Sequence, residues 1–135
     1  MKTIFVVVEH RKGEIREITF EMLRKAGELC RTHGLHLTAV VLGWEIEPFL
    51  KEISERADTV LVVEKEALKN FDSDLYKEVL GHLIREYHPW LTLIAQSSWG
   101  LDLAPCLAVK TGFPLATDCL DILIEDNRIM ALRQR

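Results

Sequence analysis

Ile4-Phe5-Val6-Val7-Val8 is a continuous run of β-branched and aromatic residues. That is the pattern of a strand covered on both faces in a parallel sheet, not of one with a wet side. Three runs of the same kind follow: Leu37 to Leu42, ending at Gly43; Thr59 to Val63; and Leu91 to Ala95. Between them the periodicity changes. Phe20, Leu23, Ala26, Gly27 and Cys30 recur at helical spacing opposite Glu21, Arg24, Lys25, Glu28 and Arg31, with Thr19 as the expected cap and Gly34 as a left-handed stop. Pro48 stands where a first helical turn begins, followed by Phe49, Leu50, Ile53 and Ala57 on one face of a short second helix. Asp72, Ser73 and Asp74 open a third helix, whose predicted buried face is Leu75, Tyr76, Val79, Leu80, Leu83, Ile84 and Tyr87; Pro89 forbids its continuation. A fourth helix is predicted over Leu101 to Lys110, with Pro105 acceptable only if it lies in the first turn.

Strands alternating with helices require crossovers, which place helices on both faces of a mostly parallel sheet. The expected architecture is a three-layer α/β domain, with a polar loop around Gly13. The tail differs in pattern. Leu120, Ile122 and Ile124 alternate with Asp121 and Glu125, Asp126-Asn127 supplies a turn, and Ile129 to Leu132 returns. This antiparallel hairpin is expected to extend one edge of the sheet.

Composition narrows the function classes. The 135 residues, 48% apolar, fit one domain with a sizeable core. A formal charge of −4, from 17 Lys+Arg against 21 Asp+Glu, comes without a basic stripe, which argues against nucleic-acid binding. The apolar run at the N-terminus meets Glu9 too early for a signal peptide or a membrane span. A soluble protein of the cytoplasm, or of the mitochondrial matrix in a eukaryote, is expected. Cys30, Cys106 and Cys119 are widely spaced and form no CxxC pair, so they read as packing residues, and the five histidines lack metal spacing and read as surface or capping groups.

In an open parallel sheet, ligands sit beyond the carboxyl ends of the strands. The loops to inspect are Glu9-His10, Gly43-Trp44 and Gln96-Ser97-Ser98-Trp99-Gly100. Ser97, Ser98 and Gly100 offer hydroxyls and close backbone approach at a helix N-terminus, the ingredients of an anion cradle and equally of an ordinary cap. Asp102 reads either as a ligand-positioning carboxylate or as an acid in the first helical turn. Trp44, Trp90 and Trp99 each lie near a strand terminus, where they either pack under a loop or stack on a flavin or a partner. Glu9 and His10 are adjacent, but no third group orients a base, so no catalytic constellation emerges. GxGxxG and GxxxxGK[ST] are absent.

The stretches Val8-Glu9-His10-Arg11-Lys12-Gly13-Glu14-Ile15, Leu37 through Gly43, Ala57-Asp58-Thr59-Val60-Leu61-Val62-Val63 and Gly100-Leu101-Asp102-Leu103-Ala104-Pro105, with Leu107-Ala108 and Thr117-Asp118 after them, carry a resemblance. In order and spacing they resemble the N-terminal domain of the electron-transfer flavoprotein alpha subunit, over nearly the whole chain. The resemblance implies an adenine-nucleotide alpha-hydrolase-like fold with sheet order 3-2-1-4-5, a beta-subunit partner, and flavin dehydrogenases as electron donors. It also implies that FAD is held by a C-terminal domain beyond residue 135, so that this chain is not expected to bind FAD tightly by itself. AMP in that family belongs to the beta subunit. A nucleotide cleft here, drawn from Glu9, Gly43, Ser97, Ser98, Gly100 and Asp118, is the alternative expectation, that of a stand-alone nucleotide-binding module. Cys106 stands where the family usually has an arginine, which removes a cation near the start of the fourth helix.

Overall fold

A computed structural model describes residues 2–133. Four parallel strands, β1 (Thr3–Val7), β4 (His36–Gly43), β5 (Thr59–Glu64) and β6 (Leu91–Leu93), form one sheet in the order β5-β4-β1-β6. Helices α1 (Glu17–His33) and α2 (Glu47–Ser54) cover one face, and α3 (Ser73–Tyr87) and α4 (Ser98–Thr111) the other. The predicted three layers are present. Because β1 is covered on both sides, its side chains divide between two cores. Ile4, Val6 and Val8 pack with Leu23, Ala26 and Ile53, whereas Phe5 and Val7 pack with Leu80, Leu103 and Leu107.

The sheet follows the expected 3-2-1-4 order in its first four places. No fifth strand pairs with β6 among the described residues. The tail hairpin, β7 (Cys119–Glu125) and β8 (Arg128–Arg133), forms a separate antiparallel sheet and does not extend the main one. Its docking surface explains why. Ile124 is buried and Ile122 half-buried against the α1 core, and the Lys25 ammonium reaches Asp121 at 2.7 Å. That bond, with a second from the Ile122 N–H, holds the Asp121 carboxyl below its ordinary range. The hairpin thus lies on a helix, with no main-chain ladder to β6.

Several local expectations are corrected. The loop around Gly13 is a tight antiparallel ladder, β2 (His10–Arg11) with β3 (Glu14–Ile15), because Lys12 and Gly13 both take positive φ, 52° and 80°. Helix α1 begins at Glu17 with Arg16 at its N-cap, and Thr19 is a buried helical residue rather than a cap. Strand β6 ends at Leu93, two residues short of Ala95. Helix α4 begins at Ser98 because Ser97 caps it, which puts Pro105 in the helix interior. The carbonyl of Leu101 consequently loses its intrahelical donor, on a face where both Leu101 and Pro105 are exposed and water can replace it. Tyr87, at the end of α3, is 52% exposed. Of the cysteines only Cys30 is a buried packing residue, its thiol pushed up to about 11 chiefly by burial; Cys119 is exposed and Cys106 intermediate.

Candidate functional site

The chain runs from β1 outward through β4 to β5, then returns to the other side of β1 as β6. The reversal lies between β1 and β6, and the crevice at their carboxyl ends is where a ligand enters sheets of this class. The residues flanking it are Glu9, after β1, and Ser97, after β6.

These two residues are joined. Glu9 is 7% exposed, and its Oε1 accepts a hydrogen bond from the Ser97 hydroxyl. The main chain of Glu9 is clamped by the start of α1: its N–H donates to Thr19 Oγ1 at 2.9 Å, its carbonyl accepts from the Thr19 hydroxyl at 3.2 Å, and the Arg16 N–H donates to the same carbonyl at 2.8 Å. Ser97 caps α4, its Oγ accepting from the Gly100 N–H at 3.4 Å. One buried acid therefore links the end of β1 to the starts of two helices.

His10 is buried, not a surface or capping group. Its Nε2 lies 2.6 Å from the carbonyl of Leu42, and a carbonyl only accepts, so that nitrogen carries the proton. The ring sits 5.5 Å from both Phe49 and Trp99. Trp99 in turn stacks on Phe71 at 4.8 Å and meets Tyr76 edge-on at 5.2 Å. Tyr76 is anchored by its hydroxyl, shared between the carbonyls of Leu68 and Leu42, and burial pushes its phenol up to about 12. Of the three tryptophans Trp99 is a core residue, Trp90 lies half-buried under Lys2, and Trp44 is 37% exposed.

The glycines serve the same packing. A Cβ on Gly43 would lie 2.6 Å from Ile46 Cγ2 and 3.0 Å from His10 Nε2, and one on Gly100 would lie 1.6 Å from the carbonyl oxygen of Ala95. Both close approaches are to the protein's own atoms. Ser98 is exposed on the first turn of α4. Asp118 is exposed at φ 54° and accepts from Gln96 Nε2 at 2.6 Å, tying the start of the hairpin to the loop after β6. Asp102 is past the first turn of α4. It bonds Lys77 of α3 at 3.1 Å, and hydrogen bonds from Ser73 and Lys77 hold its carboxyl below the ordinary range.

The structure thus brings together Glu9, Ser97 and Gly100, sets Gly43 against His10, and leaves Ser98 and Asp118 at the rim. Thr19 and Gln96 complete the set. Thr19 reads in the sequence as a helix cap and Gln96 as part of the loop after the fourth strand; their partners here, ten and twenty-two residues away, were not legible. At this crevice Glu9 is bridged to Ser97, and the rings of His10 and Trp99 pack edge to face, so the residues there set a carboxylate where a phosphate of FAD or AMP would bring its own negative charge. A shallow depression of about 500 Å³ lies at the other end of the sheet, lined by residues that include Lys2, Tyr87, Trp90 and Phe113. No metal-binding group of His, Cys, Asp or Glu occurs among the described residues, and no helix there is long and apolar enough to cross a membrane.

Residues 4–135 match the family described as the electron transfer flavoprotein domain. The chain is 36% identical over 135 residues to the electron transfer flavoprotein subunit alpha of Clostridium acetobutylicum, covering 98% of this chain and 40% of that one. It is 31% identical over 128 residues to the acryloyl-CoA reductase electron transfer subunit beta of Anaerotignum propionicum, covering 94% and 35%. To the lactate dehydrogenase (NAD(+),ferredoxin) subunit LctC of Acetobacterium woodii it is 32% identical over 125 residues, covering 92% and 30%. The chain spans at most about 40% of the length of these relatives. With a parallel α/β sheet, a separate C-terminal hairpin and a family match over nearly all its residues, the chain belongs to the electron transfer flavoprotein domain family.

Proposed function

We propose that this domain is the N-terminal part of an alpha-type electron-transfer flavoprotein subunit, serving as a rigid platform for the beta-type subunit and for the FAD-carrying part of the assembly. In that reading it takes part in electron transfer from flavin dehydrogenases by holding other elements in place. FAD is held outside residues 1–135.

The observation that supports this reading is the outer face of the tail hairpin. Ile122, Ile124, Ile129 and Ala131 share one face of β7 and β8, the one turned to α1; Leu123, Met130 and Leu132 share the opposite one with Asp121, Glu125 and Arg128. Leu123 and Met130 are each 46% exposed, Leu132 is 56% exposed and Leu120 65%. A two-stranded sheet is marginally stable unless its faces are covered, and a cluster of large exposed apolar residues marks an interaction surface. The relatives bear the names of subunits, which supplies the class of occupant.

The test replaces the cross-strand pair Leu123 and Met130 with Leu123→Glu and Met130→Lys together. Opposite charges facing each other preserve cross-strand attraction while removing the central apolar pair of that face. In the whole subunit, affinity for the beta-type partner is expected to fall roughly a thousandfold, two interface anchors at about 2 kcal/mol each. The melting temperature of the 135-residue chain should hardly change. Unchanged association, measured by calorimetry, would remove the hairpin from the interface.

A further inference from the structure

The crevice at the sheet's reversal is closed by an acid of the protein's own. A carboxylate only accepts hydrogen bonds, so the Ser97 hydroxyl must donate to Glu9, which leaves its lone pairs for the Gly100 N–H. Through Ser97, the positive end of the fourteen-residue α4 is therefore delivered to the Glu9 carboxylate. In nucleotide-binding sheets of this topology, a ligand phosphate takes that position.

We propose that Glu9 is a built-in anion that occupies the phosphate position at the switch point, so that the domain keeps this end of its sheet closed and works without nucleotide. The carboxylate is held by Ser97 on a residue anchored at its main chain. Its main chain is held by three hydrogen bonds to Thr19 and Arg16, and it is buried. The neighbouring space is committed as well. The missing Cβ atoms of Gly43 and Gly100 make room for Ile46, His10 and Ala95, and Trp99 fills the space beneath His10. An entering phosphate would meet a fixed negative charge in a water-poor site, and no cationic side chain bonds Glu9 among the described residues to offset it.

The proposal is independent of the partner reading above, and its test needs no partner. The full chain and the variants Glu9→Gln, Glu9→Ala and Ser97→Ala are compared with AMP and with inorganic phosphate as probes, using chloride at matched ionic strength as the control. Glu9→Gln keeps the volume and removes the charge; Glu9→Ala removes both; Ser97→Ala breaks the bridge and keeps the charge. The wild-type chain is expected to show no saturable AMP binding. Glu9→Gln and Glu9→Ala should bind AMP at least about tenfold more tightly than wild type, the scale of a removed like charge at a partly buried helix end. Both should melt a few degrees lower than wild type and be restored by phosphate but not by chloride. Ser97→Ala should also melt lower and should not be restored.

Three outcomes overturn the proposal. One is wild-type binding of AMP as tight as that of Glu9→Gln. Another is phosphate rescue of Ser97→Ala as strong as that of the Glu9 variants. The last is folded Glu9→Gln and Glu9→Ala proteins, by circular dichroism, that ignore both probes. If Glu9→Ala does not fold, Glu9→Gln against wild type still decides the matter, because that pair differs in charge at nearly constant volume, and Ser97→Ala separates loss of the bridge from loss of the charge.

Discussion

Gly100→Ala should strongly destabilise the fold. The added Cβ would stand 1.6 Å from the carbonyl oxygen of Ala95 and 2.9 Å from its carbon, both main-chain atoms of the segment that connects β6 to α4. No side chain can swing away to relieve that overlap, so α4 itself must move. Leu103 and Leu107 of α4 are buried in the core shared with Phe5, Val7 and Leu80, and a shift of the helix unpacks them together. Overpacking usually costs about 1 to 3 kcal/mol where neighbours can adjust; here they cannot, and about 3 kcal/mol or more is expected. That is a large part of the roughly 5 to 15 kcal/mol of an ordinary domain. Urea denaturation measures it. Gly27→Ala is the contrast within the same protein. Its Cβ meets only the flexible end of Arg31 at 3.2 Å, in the middle of α1, and should raise stability by roughly 0.5 to 1 kcal/mol. A Gly100→Ala protein as stable as wild type would show that the start of α4 does not press on Ala95.

Trp99→Ala is expected to cost about 3 to 5 kcal/mol, the range for a buried aromatic removed to alanine. Trp99 is 6% exposed and stands between four ring systems' worth of packing: Phe71 on its face, Tyr76 and His10 at its edges, and Phe49 beyond His10. The loss is not confined to one side chain. Without Trp99 the His10 ring has an open edge, and its bond to the Leu42 carbonyl is what pins β2 to the end of β4. Chemical denaturation gives the free energy. Fluorescence gives a second reading, because Trp44 and Trp90 are both more exposed than Trp99, so emission of the variant should move to longer wavelength. An unshifted emission maximum would place Trp99 outside the core.

These two residues show where sequence reading succeeds and where it stops. Trp99 and Gly100 stand out in the loop after Ala95 as a large ring beside the smallest residue, and the sequence leaves both open between ligand contact and packing or capping. In three dimensions both serve packing. Glu9 and Ser97 were each candidates for a nucleotide cleft, but that they bond to each other across eighty-eight residues could not be read from their positions. The hairpin was legible for a local reason: alternation in β7 and a turn at Asp126-Asn127 with both residues at positive φ. Its place was not. Burying Ile122 and Ile124 against α1 is a contact between segments far apart in the chain, and the Lys25–Asp121 bond beside it is a further contact of that kind.

Hydrophobic period alone determined the strands, the helices and the parallel α/β class, because each of those patterns is local: two residues per pleat, about 3.6 per turn. The order and identity of the quoted segments determined the family. The tertiary structure alone decided that the sheet has four strands with a detached hairpin, that His10 is a core residue, and that the switch-point crevice is bridged by Glu9 and Ser97. Those outcomes depend on distances between residues far apart in the chain, and nothing local in a sequence encodes a distance of that kind.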